Sequence, residues 1–147
     1  MVVSVSADEL TGIARVLVDA LAERGHSLRP HGALSESERD DWAWAAEAVA
    51  RDVGSGLAQQ GVVCCWTGTG AAIAANKVGG VRAALCADAP TAAGARRYND
   101  ANVLALSLRS TSEAELREIL DAWFATGPST EASDLANIEY VGEIERR

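Results

Sequence analysis

Five times along this chain a short apolar run gives way to a helix-period pattern, and that alternation restricts the fold more than any other feature. Residues 2–6, 27–31, 61–65, 81–87 and 102–108 read as strands. Between them, Leu10, Ile13, Ala14, Leu17 and Leu21 mark one helix face, and Trp42, Ala46, Val49 and Val53 mark another. An alanine-rich stretch running to Lys77 and a short segment at 91–98 supply two more helices. Ser112 with Glu115 forms a capping box ahead of Leu116, Ile119, Leu120 and Trp123. Strand–helix repetition of this kind predicts an α/β fold in three layers, α/β/α, around a five-stranded parallel sheet with right-handed crossovers. Gly127, Pro128 and Ser129 read as a hinge before an amphipathic helix at about 131–145. No strand follows that helix, which leaves it free to pack on its own chain or on a partner subunit. The expectation is one domain over 1–147, with 126–147 as hinge and terminal helix.

Charge and cysteine usage narrow the function. The chain has 147 residues, 21 acidic and 13 basic, for a formal net charge of -8. Such a chain is repelled by nucleic acid and by anionic membrane surfaces, so neither is an expected partner. Lys77 is the only lysine, and His26 and His31 are the only histidines. Cys64, Cys65 and Cys86 are an odd, small set without zinc spacing, and no basic-then-apolar leader opens the sequence. Both point to a reducing cytoplasm.

In a parallel sheet, ligands bind beyond the carboxyl ends of the strands. The loops to inspect therefore follow Ser6, His31, Cys65, Ala87 and Leu108. The most distinctive one reads Thr67-Gly68-Thr69-Gly70 and joins a strand to a helix. Its glycines permit a tight turn with outward amides, suited to a phosphate, a carboxylate or a reaction oxyanion. Cys65 ends the preceding strand, where a thiol can serve as a base; the bland alternative is a small buried hydrophobe. A dinucleotide fingerprint is a rival reading, with Asp88 at the next strand end. However, Ile73 occupies its third small-residue position.

Segment 61–106 carries a family resemblance. Ile73-Ala74-Ala75-Asn76-Lys77, Val81-Arg82-Ala83-Ala84-Leu85-Cys86 and Asn99-Asp100-Ala101-Asn102-Val103-Leu104 are its most specific pieces. The stretch resembles the type B ribose-5-phosphate isomerases and the related galactose-6-phosphate isomerase subunits, and the likeness extends weakly to both ends. The resemblance implies a Rossmann-like sheet, a homodimer or homotetramer with sites at the subunit interface, and aldose–ketose isomerisation through a cis-enediolate without metal or organic cofactor. It makes Cys65 the proton-transferring cysteine and places Thr67 at the reacting carbons. The amides of Gly68, Thr69 and Gly70 would face the enediolate oxygen, where charge develops. It puts Asp8, Trp42 and Asn99 on the sugar and Arg109 on a phosphate.

Five positions depart from the family pattern. Asp8 is followed by Glu9 rather than histidine. Tyr98 stands where the family has a ring-opening histidine, and free tyrosine, with a pKa near 10, is a poor shuttle at neutral pH. Ser133 and Asn137 fall where phosphate-binding arginines are expected, and Trp66 replaces a glycine beside the cysteine. The expected function is isomerisation of a sugar or sugar phosphate other than ribose 5-phosphate. A degenerate or half-site subunit needing a related partner is the alternative, and a nucleotide-binding module the weaker one. Of the remaining candidates, His31 either replaces the missing imidazole or is a solvated loop residue. Arg96 and Arg97 either face an anion or are helix-surface arginines, and Asp88 reads as a helix cap.

Overall fold

The computed structural model describes residues 1–147. Its strands are β1 (Val2–Ala7), β2 (Ser27–Gly32), β3 (Gln60–Cys65), β4 (Ala83–Leu85) and β5 (Val103–Ser107). The helices are α1 (Ala14–Glu23), α2 (Trp42–Ser55), α3 (Thr69–Ala75), α4 (Ala89–Asn99), α5 (Glu113–Ala125) and α6 (Ala132–Glu145). All strand pairs are parallel, in the order β2-β1-β3-β5-β4. The α/β three-layer sheet expected from the alternation is therefore present.

Both faces of the central strands are buried, as their continuous apolar runs require. On one face Val3, Val5, Ala7, Cys64 and Leu104 pack against α1, α4 and α5, with Leu17, Leu116 and Trp123 fully enclosed. On the other, Val63, Cys65, Val103 and Ala105 meet Val49 of α2 and Ala71 of α3. The indole N–H of buried Trp123 donates to Gln60 Oε1 at 2.7 Å, so its polar edge is not stranded. The capping box is made in both directions: Glu115 N–H reaches Ser112 Oγ at 3.1 Å, and Ser112 N–H reaches Glu115 Oε2 at 2.8 Å.

Several elements differ from the sequence expectation. β4 is three residues long rather than seven, because only β5 pairs with it. On its outer edge the Asn76 amide stands in for a neighbouring strand, donating to Ala83 O at 2.9 Å and accepting from Ala83 N–H at 2.8 Å. α1 begins at Ala14, so Leu10 lies exposed in the loop before it. α3 stops at Ala75, and tight turns carry the chain through Lys77. Arg96 is not a surface residue: it is buried, donates to Ala101 O and Thr126 O, and lies 5.6 Å from the Trp123 ring centroid. α6 is not amphipathic against its own chain. It buries no residue and leaves Leu135, Tyr140, Val141 and Ile144 about half exposed.

Candidate active site

The pleat of β3 separates its two terminal cysteines. Cys64 enters the larger core, where burial, with Cys65 and Asp8 adding to it, pushes its thiol far above the ordinary range. Cys65 turns to the α2/α3 face and is the last residue of the strand. Cys86 is also buried, with its pKa raised to about 11 by burial and by Asp88. Of the three free thiols, only Cys65 is carried directly into the glycine loop.

That loop is clamped from β5. Leu108 N–H donates to Cys65 O at 2.9 Å and Arg109 N–H to Trp66 O at 3.0 Å. Ser107 Oγ donates to the same Trp66 oxygen at 2.9 Å, and Ser110 Oγ lies 2.8 Å from Ser107 Oγ. Ser107 and Ser110 were not legible as site residues, since a serine at a strand end carries no signal by itself. Gly68 has φ +78, and a Cβ there would sit 2.5 Å from Leu85 Cδ1 and 2.9 Å from the Leu106 carbonyl carbon. A Cβ on Gly70 would come within 2.9 Å of Trp42 Cε3. Both glycines are therefore required, one for its conformation and one for the approach of an indole. Thr67 Oγ1 and Thr69 Oγ1 are 2.7 Å apart. The first helical bond of α3 is donated by Ala72 to Gly68 O, which leaves the Thr69, Gly70 and Ala71 amides outside the helical ladder.

Around this loop stand Asp8, Trp42, Trp66 and Arg109. Asp8 follows β1, and its N–H donates to Cys64 O at 3.3 Å across the β1/β3 pair. Partial burial, reinforced by the Glu9 and Asp40 carboxylates, raises its pKa above the usual carboxylate value. Trp42 is 47% exposed and Trp66 50%, so neither is a core residue. Together they give the site two accessible aromatic surfaces.

Tyr98 and Asn99 are not at this edge. α4 starts beyond the carboxyl end of β4 and runs back, so its last turn lies where β5 begins. There the two residues line a cavity of about 740 Å³ with Lys77, Arg82, Asn137 and Tyr140. Within one chain they are separated from Cys65 by the length of the sheet. The histidines stay out of the site as well. His26 packs on Phe124, with ring centroids 4.1 Å apart, and its burial, then the N-terminus and Arg24, lower its pKa. His31 is neither solvated nor free. Its Nε2 lies 2.7 Å from Asp52 Oδ2 and its Nδ1 2.9 Å from Glu38 Oε2.

The dinucleotide reading loses support from two residues. Ile73 is 61% exposed, so the close helix–strand packing of a fingerprint's third position is not made. Asp88 accepts from Thr91 N–H at 2.7 Å as the cap of α4, which lowers its carboxyl pKa.

A parallel three-layer sheet with a cysteine at a strand end, paired threonines and free loop amides defines an α/β protein with a candidate site at the carboxyl edge of its sheet. The family model described as Ribose/Galactose Isomerase matches residues 3–139, and the chain belongs to that family. It is 40% identical over 107 residues to ribose-5-phosphate isomerase B of Escherichia coli, covering 73% of this chain and 71% of that protein. It is 36% identical over 124 residues to galactose-6-phosphate isomerase subunit LacB of Clostridium acetobutylicum, covering 84% and 71%. The structure of Clostridium thermocellum ribose-5-phosphate isomerase B superposes with a TM-score of 0.89 at 33% identity, over 99% of this chain and 98% of that one.

Proposed function

We propose that this protein is a cytoplasmic aldose–ketose isomerase that works through a cis-enediolate on a sugar or sugar phosphate other than ribose 5-phosphate. Cys65 is the base that moves a proton between adjacent carbons. The Thr67 hydroxyl and the amides from Gly68 to Gly70 hold the developing oxyanion, where a preorganised donor is worth most. Asp8 orients hydroxyls, and Trp42 and Trp66 face the sugar. The single observation that carries this reading is the placement of Cys65 at the head of a β5-clamped loop whose amides are uncommitted.

A changed substrate is supported by charge. Arg109 is the one basic residue whose backbone is tied to the cysteine loop, whereas Asp8, Glu9 and Asp40 crowd the same edge. Ser133 and Asn137 add no cation from α6. A homodimer is supported by the separation of Cys65 from Tyr98 and Asn99: a second copy could bring its own Tyr98–Asn99 cavity to the cysteine edge of the first. The half-site alternative differs only in making that second copy a related chain.

The test is solvent deuterium incorporation into a panel of aldopentoses, aldohexoses and their phosphates. Wild type is expected to label at least one of them, and Cys65→Ala to lose about 100-fold or more of that rate. Equal background for both proteins on every sugar would remove the isomerase reading. Activity of the purified chain alone would exclude the need for a different partner.

A further inference from the structure

An enediolate oxygen and a phosphate make different demands on a site. The oxygen gains its charge only during the reaction, and the uncommitted amides of the cysteine loop are placed to meet it. A phosphomonoester carries ~1.5–2 negative charges throughout, at neutral pH. It needs a second anion site, made of cations that no carboxylate of the chain already holds. Few such cations exist. Arg24, Arg29, Arg39, Arg51, Arg82, Arg96 and Arg117 are each paired with a carboxylate of this chain. Lys77 lines the cavity at the far edge of the sheet, and Arg97 sits in the last turn of α4, one residue from Tyr98 of that cavity. Arg146 and Arg147 end the chain beyond α6, with the Arg147 guanidinium 5.6 Å from the Tyr140 ring. That leaves Arg109, and Arg15 exposed on the first turn of α1, as the unpaired cations of the cysteine edge.

Carboxylates outweigh them there. Asp8, Glu9 and Asp40 enter no ion pair. Asp8 follows Ala7, which pairs with Cys64, so it lies beside Cys65. Burial, Glu9 and Asp40 act on its carboxyl in the same direction, and no arginine opposes them. A pentose or hexose with its C2 at Cys65 keeps a terminal phosphate within about a Debye length of this group, ~8–10 Å, so salt does not erase the repulsion. What the edge does offer suits a neutral polyol. Asp8 Oδ1 is shielded and lacks a donor, which a sugar hydroxyl supplies. The half-exposed indoles of Trp42 and Trp66 present apolar faces. A second copy of the chain would add Tyr98 and Asn99, both neutral, with Lys77 as a single cation from the same cavity.

We infer that the site takes an unphosphorylated aldose, and that Glu9 and Asp40 set this preference by repelling an anionic substituent. This inference rests on the isomerase reading and narrows its substrate class. Glu9 follows Asp8 in the loop after β1, and Asp40 lies in the loop before α2, so the two carboxylates come to the site from different elements. Discrimination of this kind needs no new contact with the favoured sugar, because it acts by penalising the competitor.

The test pairs each aldopentose and aldohexose with its terminal phosphate and measures kcat/KM for ketose formation on both. Wild type should favour the free sugar by ~10-fold or more in the pair it converts best. The ratio within a pair cancels any loss of folded enzyme, so it reads charge and not stability. Glu9→Gln and Asp40→Asn should each shift that ratio toward the phosphate by ~3-fold, and Glu9→Lys by ~10-fold. Raising the salt from about 20 to about 300 mM should move the wild-type ratio in the same direction. A phosphate converted faster than its free sugar by wild type would overturn the inference and leave the isomerase reading intact. A ratio that none of the three variants moves would overturn the role given to Glu9 and Asp40. Failure of wild type to convert any sugar, free or phosphorylated, would instead remove the isomerase reading and the substrate class with it.

Discussion

At the scale of single residues, the site depends on atoms that are absent as much as on those present. Gly68 and Gly70 tolerate no Cβ, the first because of Leu85 and the Leu106 backbone, the second because of Trp42. Gly68→Ala forces both a left-handed conformation and a backbone collision, so we expect a loss of about 1–3 kcal/mol, read by urea denaturation, together with loss of deuterium exchange. Asp8 shows the opposite tension. Its raised pKa means that the fold disfavours the ionised carboxyl, so the destabilisation it contributes is absent below the unfolded value near 4, grows as pH rises toward the folded value and is complete above it. Asp8→Asn should therefore melt above wild type at neutral pH while converting less sugar, a trade of stability for activity. The thiol–glycine loop was readable from Cys65-Trp66-Thr67-Gly68-Thr69-Gly70 because turn chemistry is local. The Ser107–Ser110 clamp was not, because it joins residues about 40 positions away in sequence to the Trp66 carbonyl.

At the scale of elements, β2 is fastened to α2 by one carboxylate. Asp52 on α2 is buried, which by itself would raise its pKa. Donation from Arg29 at 2.9 Å, from His31 at 2.7 Å and from Ser4 at 2.9 Å reverses that effect and holds it below the usual value. A carboxylate with a depressed folded pKa contributes stability that is complete above its unfolded value near 4 and disappears as pH falls through the folded value. Wild type should therefore lose stability on acidification below about pH 4 more steeply than Asp52→Asn, and the variant should be about 1–3 kcal/mol weaker at pH 7. Urea melts across pH 3–7 measure both. His31 was expected to be either catalytic or solvated. It is neither, because its partners Glu38 and Asp52 come from a loop and a helix that no local pattern assigns to it.

At the scale of the whole molecule, the two parts of the resemblance-derived site lie at opposite edges of one sheet. Cys65, Thr67, Asp8, Trp42, Trp66 and Arg109 belong to the carboxyl edge, whereas Tyr98 and Asn99 belong to the other. α6 presents Tyr140 and Ile144 on the rim of the second cavity without burying them. If sites are completed between copies, Cys65→Ala and Asn99→Ala should each be inactive alone. Unfolded and refolded together in equal amounts, they should regain about a quarter of wild-type activity, since half the dimers carry one intact site of two. Zero recovery, with dimers verified by sedimentation, would place both halves of the chemistry within a single chain.

The alternation of apolar runs and helical periods was enough to establish the layers and the parallel sheet, because hydrophobic periodicity and crossover handedness are properties of consecutive residues. The family motifs added the cysteine and its loop for the same reason: 65–70 is continuous in the chain. Only the tertiary structure decided the length of β4, which reflects its single strand neighbour. The burial of Arg96, the double engagement of His31 and the distance from Cys65 to Tyr98 were also settled there. Each of those depends on which distant segments meet, and it is side-chain partners from other elements that determine whether a charged group is a solvated surface residue, a strut or a proton carrier.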